Sequence, residues 1–426
     1  MFSPLSRHWS ATVSELLDGF PVVVLSGARQ VGKSTIALAL ARERGGTYLT
    51  LDDVSIRTQA LADPDGLVGG QQGFVVFDEV QTVPDLLRAI KLSVDRDRRP
   101  GRFLLTGSAN LLRQRTVGES LAGRSAWIEL PPLLWSEIAQ RPFPKTLDAA
   151  FAAGDAADLV RQMPAASLDR IAEARTRAIA GGMPPTLPLS ETLRRAWYDG
   201  YRQTFLERDL RQLADIENLP EFVRLLNVAA LRTATLLNQS ALARDVGLSH
   251  ATLRRYLSLL EVAYQFYELP PYFANLGKRL VKTPKLYAVD VGLVAYLGGL
   301  VSWNDAAAQG RAGAMLETWA IGELRALDRL SSAQSTMSFY RTSSGSEVDL
   351  VLERGPRIVA IEVKAGTSVG SGDLAGLSEL RDRLGARFHL GIVATLGETA
   401  VVLGDRLCAI PLPSLLGVTA EPSVPR

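Results

Sequence analysis

Residues 27–34 read GARQVGKS, two glycines, a lysine and a hydroxyl at the spacing G-x-x-x-x-G-K-[ST]. That set can wrap a polyphosphate. Gly27 and Gly32 permit a tight, partly left-handed backbone that turns consecutive N–H groups inward. Ala28, Arg29, Gln30 and Val31 supply the amides between them. Lys33 brings a point charge to the β- and γ-phosphates, Ser34 offers a hydroxyl to Mg²⁺, and Thr35 completes the binding stretch. An apolar run (VVVLS) precedes the loop and an amphipathic run follows it. The loop is therefore expected where a buried strand turns into a helix whose free amides face the phosphates. The expected ligands are ATP and Mg²⁺.

A second group supplies the rest of a hydrolytic site. FVVFDEV, residues 74–80, is an apolar strand ending in two acids. It matches a Walker B segment, in which Asp78 holds Mg²⁺ and Glu79 polarises the attacking water. RFLLTGSANLL ends a further strand in Thr106-Gly107-Ser108, with Asn110 beyond. Ser108 either resembles the sensor-1 position of AAA-type ATPases or is a helix N-cap. In SLAGR, Arg124 is either an arginine finger acting on a neighbouring subunit or a surface arginine. In GGMP, Pro184 resembles an element bordering the adenine in related ATPases, and a helix-breaking turn accounts for it equally well.

Residues 238–262, NQSALARDVGLSHATLRRYLSLLEV, carry a different chemistry. Gln239–Val246 suits a short helix, Gly247 a turn, and Ser249 the N-cap of a second helix. Leu253, Tyr256, Leu257 and Leu260 fall on one face of that helix. His250, Thr252, Arg254 and Arg255 are left outward, as donors on a recognition helix are. A hairpin-like pair over 265–290 would form a wing carrying Lys278, Arg279, Lys282 and Lys285, a phosphate-facing edge in a chain with few lysines. DNA is the expected partner, although winged helices also serve as protein–protein modules.

The third constellation spans 317–364. Glu317 lies in a helical run, Asp349 in a strand, and Glu362-Val363-Lys364 at the end of the next strand. Alternation puts Glu362 and Lys364 on one side of their strand. Glu317, Asp349 and Glu362 would bind Mg²⁺, and Lys364 would position water or steady a transition state at a phosphodiester. The alternative is a strand-edge ion pair. The order of helix acid, strand Asp and E-x-K resembles the PD-(D/E)xK nuclease superfamily, a scaffold that cuts or only binds.

Three textures along the chain must position these residues. Residues 1–145 alternate Val-, Leu- and Phe-rich runs with helical stretches, which predicts a doubly wound parallel α/β domain. Residues 146–218 are expected to be a helical lid or linker, 219–300 the winged helix-turn-helix, 301–415 a nuclease-like α/β domain and 416–426 a tail, with the proline-bearing chain after Pro411 extended. With 426 residues, 47% hydrophobic and 22% charged, several cores are expected. A net charge of +2 excludes a strongly basic protein, so any nucleic-acid contact must be a local patch. A single cysteine, Cys408, excludes an internal disulfide. The polar, acid-containing N-terminus and the lack of a long uncharged apolar run predict a cytoplasmic protein.

Taken together, GARQVGKST, FVVFDEVQ, LLTGSANLL, SLAGR, AGGMP, FLERDL, NLGKRLVKTPKLYAVDVGL, YRTSSGSEVDLVLE and IEVKAG make the chain resemble a prokaryotic family of AAA-type, STAND-related ATPases. The resemblance covers nearly the whole chain. It implies ATP binding, a winged helix and a restriction-endonuclease-like terminus, and supplies no substrate. The lid arginine of such ATPases has three candidates, Arg194, Arg195 and Arg208. The expected activity is conversion of ATP and water to ADP and phosphate as a nucleotide switch on DNA. The alternatives are a regulatory scaffold whose C-terminal domains only bind partners, and an oligomeric DNA translocase.

Overall fold

The computed structural model describes residues 5–108, 121–204, 216, 218–272, 283–342 and 345–419. Its contacts fall into two units. The first comprises residues 1–133, 204–216 and 257–265; the second comprises 134–203, 217–256 and 266–426.

The first unit is built on five parallel strands, β1 (Val22–Ser26), β2 (Thr47–Thr50), β3 (Val75–Asp78), β4 (Phe103–Gly107) and β5 (Ser125–Glu129), in the order β2-β3-β4-β1-β5. β1, β3 and β4 are buried along their whole length, as their unbroken apolar runs require of strands covered on both faces. Val22, Val24, Phe77, Phe103 and Leu105 pack against Leu86, Leu87, Ile90 and Val94 of the helix Asp85–Arg96. Each such side chain contributes roughly 1.5–3 kcal/mol by leaving water. The parallel registers place Ser26, Asp78 and Gly107 at the same end of the sheet. The three polar motifs therefore emerge from one edge.

In the second unit, helices Gln239–Val246 and His250–Val262 lie on either side of Gly247, whose φ of +77° makes the turn. The latter helix runs on into the first unit at Leu257. β6 (Thr235–Leu236), β7 (Phe266–Leu269) and β8 (Lys285–Ala288) form an antiparallel sheet in the order β6-β8-β7. Residues 301–415 hold the long helix Ala312–Leu330 and a six-stranded sheet. Its strands are β9 (Thr336–Arg341), β10 (Glu347–Arg354), β11 (Arg357–Val363), β12 (Phe388–Thr395), β13 (Val401–Gly404) and β14 (Leu407–Pro411), ordered β13-β14-β12-β11-β10-β9. β9 to β12 are the strands expected from sequence. β13 (VVLG) and β14 (LCAIP) lie beyond the strands expected from sequence, since apolar runs of four and five residues are too short for periodicity to tell strand from helix. The expectation of an extended chain after Pro411 is corrected at its start, where Leu412–Leu415 forms a short helix buried through Leu412 and Leu415. Among the described residues no helix is long and apolar enough to cross a membrane.

The nucleotide loop and the carboxylate cluster

The loop of residues 27–34 joins β1 to the helix Lys33–Glu43. Gly27 has φ +148° and passes so close to β5's end that a Cβ would lie 2.4 Å from the Leu130 carbonyl oxygen. Gly32 has φ +102°, and Gln30 takes a left-handed φ of +63° without being glycine. Ala28 and Val31 turn into the core. Lys33 is buried at 4% exposure and donates from Nζ to the Gly27 and Ala28 carbonyls at 3.0 and 2.9 Å. Arg7 braces the loop from behind, donating to Val31 O and Pro131 O, both at 2.8 Å.

Ser34 Oγ donates to Asp78 Oδ1 at 3.1 Å, so the two expected Mg²⁺ ligands already meet. Thr106 Oγ1 also donates to Asp78 Oδ1, and Tyr48 donates to Oδ2 at 2.6 Å. Burial and then the Asp78 bond push the Tyr48 hydroxyl well above its ordinary pKa, so it remains a donor. Glu79 sits at φ +60°, a strained conformation for a side-chain-bearing residue. Its N–H donates to Thr106 Oγ1 at 3.2 Å. Gln81 Nε2 donates to Glu79 Oε2 and, at 3.0 Å, to Ser108 Oγ. One hydroxyl and one carboxylate beside the loop are the oxygen donors that would suit Mg²⁺ brought in with a triphosphate.

Tyr48, Gln81, Arg7 and Tyr264 were missed in the sequence. Gln81 stands two residues after Glu79, a signal that could have been used. Tyr264 could not be found that way: it lies 238 positions from Ser26, to whose Oγ it donates at 2.7 Å, just ahead of Gly27. Arg124 is clamped by its own chain, with Nε and Nη2 on Asp95 at 2.6 and 3.0 Å. Asn110 and Arg208 lie outside the described residues.

In the second unit, Gly181 (φ +73°) and Gly182 wrap Asp290. Asp290 Oδ2 accepts from Gly182 N at 2.9 Å, and Oδ1 from Tyr198 at 2.6 Å. A Cβ on Gly181 would meet that carboxylate at 2.5 Å. The turn thus has a packing reason of its own, and Pro184 opens the short 3₁₀ turn that follows. Arg194 donates to the Leu189 carbonyl, and Arg195 is exposed.

The helix His250–Val262 buries Leu253, Tyr256, Leu257 and Leu260 and exposes His250, Arg254 and Arg255. Thr252 is half-buried, its N–H donating to Ser249 Oγ at 3.1 Å as an N-cap requires. Lys278, Arg279 and Lys282 lie outside the described residues. Lys285 must be corrected. It is 1% exposed and is no part of a solvent-facing edge. β8 alternates its side chains, and in the register Leu269↔Lys285 the lysine points inward toward the acids of the C-terminal sheet.

There, Lys285 Nζ lies 2.8 Å from Glu317 Oε1 and 3.1 Å from Asp349 Oδ1, and pairs with Glu347 Oε1 as well. Tyr287 donates to Glu317 Oε1 at 2.6 Å. Lys364 Nζ lies 2.8 Å from Glu362 Oε1. Glu362 Oε2 accepts from Asp349 N, and Asp349 Oδ2 from Val363 N. Glu317, Asp349, Glu362 and Lys364 are thus brought together, with Lys285 and Glu347 added. Burial and then the Asp349 charge push Glu317 up to about 7 and Glu362 up to about 8. Burial alone would lower the Lys285 ammonium, but Asp349, Glu317 and Glu347 together hold it above its ordinary range. A divalent ion needs these carboxylate oxygens as ligands. With an ammonium at their focus, the residues as placed do not fit one.

Residues 19–139 match the AAA domain family, 171–304 match a domain of unknown function (DUF8612), and 312–415 match another (DUF4143). The chain is 32% identical over 411 residues to the uncharacterized protein Rv2008c of Mycobacterium tuberculosis and, equally, to Mb2031c of Mycobacterium bovis. The alignment covers 96% of this chain and 84% of each relative. Among solved structures, the Walker-type ATPase PABY2304 of Pyrococcus abyssi aligns over 68% of this chain and 95% of its own at 15% identity and a TM-score of 0.39. The RuvB Holliday junction branch migration motor of Thermotoga maritima aligns over 62% and 90% at 18% identity and a TM-score of 0.29.

Proposed function

This chain belongs to the family of the mycobacterial proteins Rv2008c and Mb2031c, with a P-loop AAA domain at its N-terminal end, and from that premise we propose that it is an ATP-hydrolysing switch acting on DNA. The observation that carries the ATP reading is the convergence of Ser34, Thr106 and Tyr48 on Asp78 beside the Lys33 loop. Ser34 and Asp78 would hold Mg²⁺, which supplies charge neutralisation on the phosphates when bound. Lys33 would release the Gly27 and Ala28 carbonyls to meet the β- and γ-phosphates. Glu79, aimed by Gln81 and by the hydrogen bond from its main-chain N–H to Thr106 Oγ1, would orient a water and accept its proton. Ser108, whose Oγ accepts from the Gln81 side-chain amide, would report on the γ-phosphate position. Arg124 would act on a neighbouring subunit only after leaving Asp95.

Winged-helix recognition of DNA is supported by the exposed donors His250, Arg254 and Arg255 over a buried apolar stripe. Tyr264 supports the coupling. It follows the end of that helix, and its hydroxyl holds Ser26 at the root of the nucleotide loop. Steady-state turnover of ATP with and without duplex DNA tests the reading. The expected result is turnover that DNA alters in the wild type and leaves unaltered in Tyr264→Phe. A protein that binds no Mg·ATP by calorimetry would refute it.

A further inference from the structure

Four carboxyl groups gather where the helix Ala312–Leu330 meets the ends of β10 and β11, and nearly every oxygen among them has a donor. Glu317 Oε1 takes Lys285 and Tyr287. Asp349 Oδ1 takes Lys285, and Oδ2 takes the Val363 amide. Glu347 Oε1 pairs with Lys285, and Oε2 accepts from Arg341 Nη1 at 2.7 Å. Glu362 Oε1 takes Lys364, and Oε2 takes the Asp349 amide.

We propose that Lys285 is the resident cation of the Glu317–Glu347–Asp349 cluster, standing where a metal-dependent nuclease would hold a divalent ion, so that this domain keeps its acids together without metal and does not cleave DNA. The inference rests on the nuclease-like reading of residues 301–415 and is independent of the ATP reading.

Three observations carry it. First, one ammonium serves three acids, donating to Glu317 and Asp349 and forming an ion pair with Glu347. Second, the lysine is delivered by a fixed element. β8 pairs with β7, and the chain after β7 is stitched to β9 by the Pro271–Phe339 bridge and by Phe339 N donating to Pro270 O at 3.0 Å. The ammonium also lies 5.7 Å from the Phe339 ring centroid. Third, three cations, Lys285, Lys364 and Arg341, already face these four acids. A divalent cation would add two further positive charges to a largely buried site, where uncompensated charge is costly. Lys364, which a nuclease would turn toward the scissile phosphate, is bound to Glu362 and lies 3.8 Å from Asp373.

The test uses the full-length, nucleotide-free protein and Mn²⁺ as the probe, followed by electron paramagnetic resonance of free Mn²⁺ and by plasmid nicking. The expected result is that wild type and Asp349→Asn take up Mn²⁺ equally weakly and that neither nicks DNA. Lys285→Met should gain at least tenfold in Mn²⁺ affinity, and Lys285→Met/Asp349→Asn should lose that gain. The proposal is overturned if wild type binds Mn²⁺ tenfold or more tightly than Asp349→Asn, if it nicks plasmid where Asp349→Asn does not, or if folded Lys285→Met gains nothing. Should Lys285→Met fail to fold, the wild-type comparison with Asp349→Asn still decides. ATP turnover in the same samples reports separately on the nucleotide reading, so loss of either result is distinguishable from loss of the other.

Discussion

Each unit of this protein buries a lysine near strand-end carboxylates, and the two lysines are satisfied in different ways. Lys33 donates to two main-chain carbonyls, acceptors with no formal charge. Lys285 pairs with three carboxylates and donates to two of them, Glu317 and Asp349. A carbonyl holds an ammonium in place and is readily exchanged for a phosphate oxygen, since the exchange gains charge attraction. A carboxylate cage offers no such gain. The same side chain is thus poised for a ligand in one unit and used as an internal counter-ion in the other.

The comparison is broken most directly at the lysines themselves. Lys33→Ala should weaken ATP binding by about 10²–10⁴-fold, the loss of two charge-assisted bonds at about 1.5–3 kcal/mol each, while lowering thermal stability less than the loss of Lys285 does. Calorimetric titration with Mg·ATP measures the first and circular dichroism the second. Lys285→Met should do the reverse. It strands buried carboxylates, costs about 3–5 kcal/mol of stability, and leaves ATP affinity alone. If both substitutions act alike on binding and on unfolding, the distinction fails.

Glu79→Gln sharpens the picture on the nucleotide side. It should retain ATP binding and lower turnover by about 10²–10⁴-fold, the range for removing a general base. Normal hydrolysis in this variant would remove Glu79 from that role. Gln81→Ala should have a smaller effect, roughly tenfold on kcat with KM held, because it loosens the carboxylate without removing it.

The second unit also carries a pH signature. Glu323 is buried, and its carboxylate accepts the Trp135 amide at 3.0 and 3.1 Å. Burial first, and the Glu137 charge after it, push it up to about 8. A carboxyl raised in the folded state binds its proton more tightly there than when unfolded. Its contribution is therefore full in acid and is lost as pH rises from the ordinary carboxylate range to about 8. Chemical denaturation at several pH values should show this loss, and Glu323→Gln should flatten it. An identical slope in wild type and variant would rule Glu323 out as its source.

Much of the first unit was legible because its signals are local. The central strands β1, β3 and β4 are built on apolar runs, and the loop glycines, lysine and serine lie within eight positions of one another. The two helices on either side of Gly247 were legible for the same reason, through helical spacing and one turn glycine. What escaped was long-range or polar. Tyr48 and Tyr264 join the nucleotide site from distant segments, and no spacing rule announces a tyrosine hydroxyl. Lys285 reads as exposed because it clusters with Lys278 and Lys282 in one hairpin-like stretch, whereas its strand register turns it inward.

The amino-acid order alone determined where a triphosphate can be wrapped, since that depends on backbone freedom at Gly27 and Gly32 and on the residues between them. It also determined which acids stand at strand ends. Only the tertiary structure decided what those acids meet. Asp78 meets hydroxyls, and Asp349 meets an ammonium brought from 64 positions away. Charge pairing depends on distance in space, and a chain order does not contain that distance until the strands have paired.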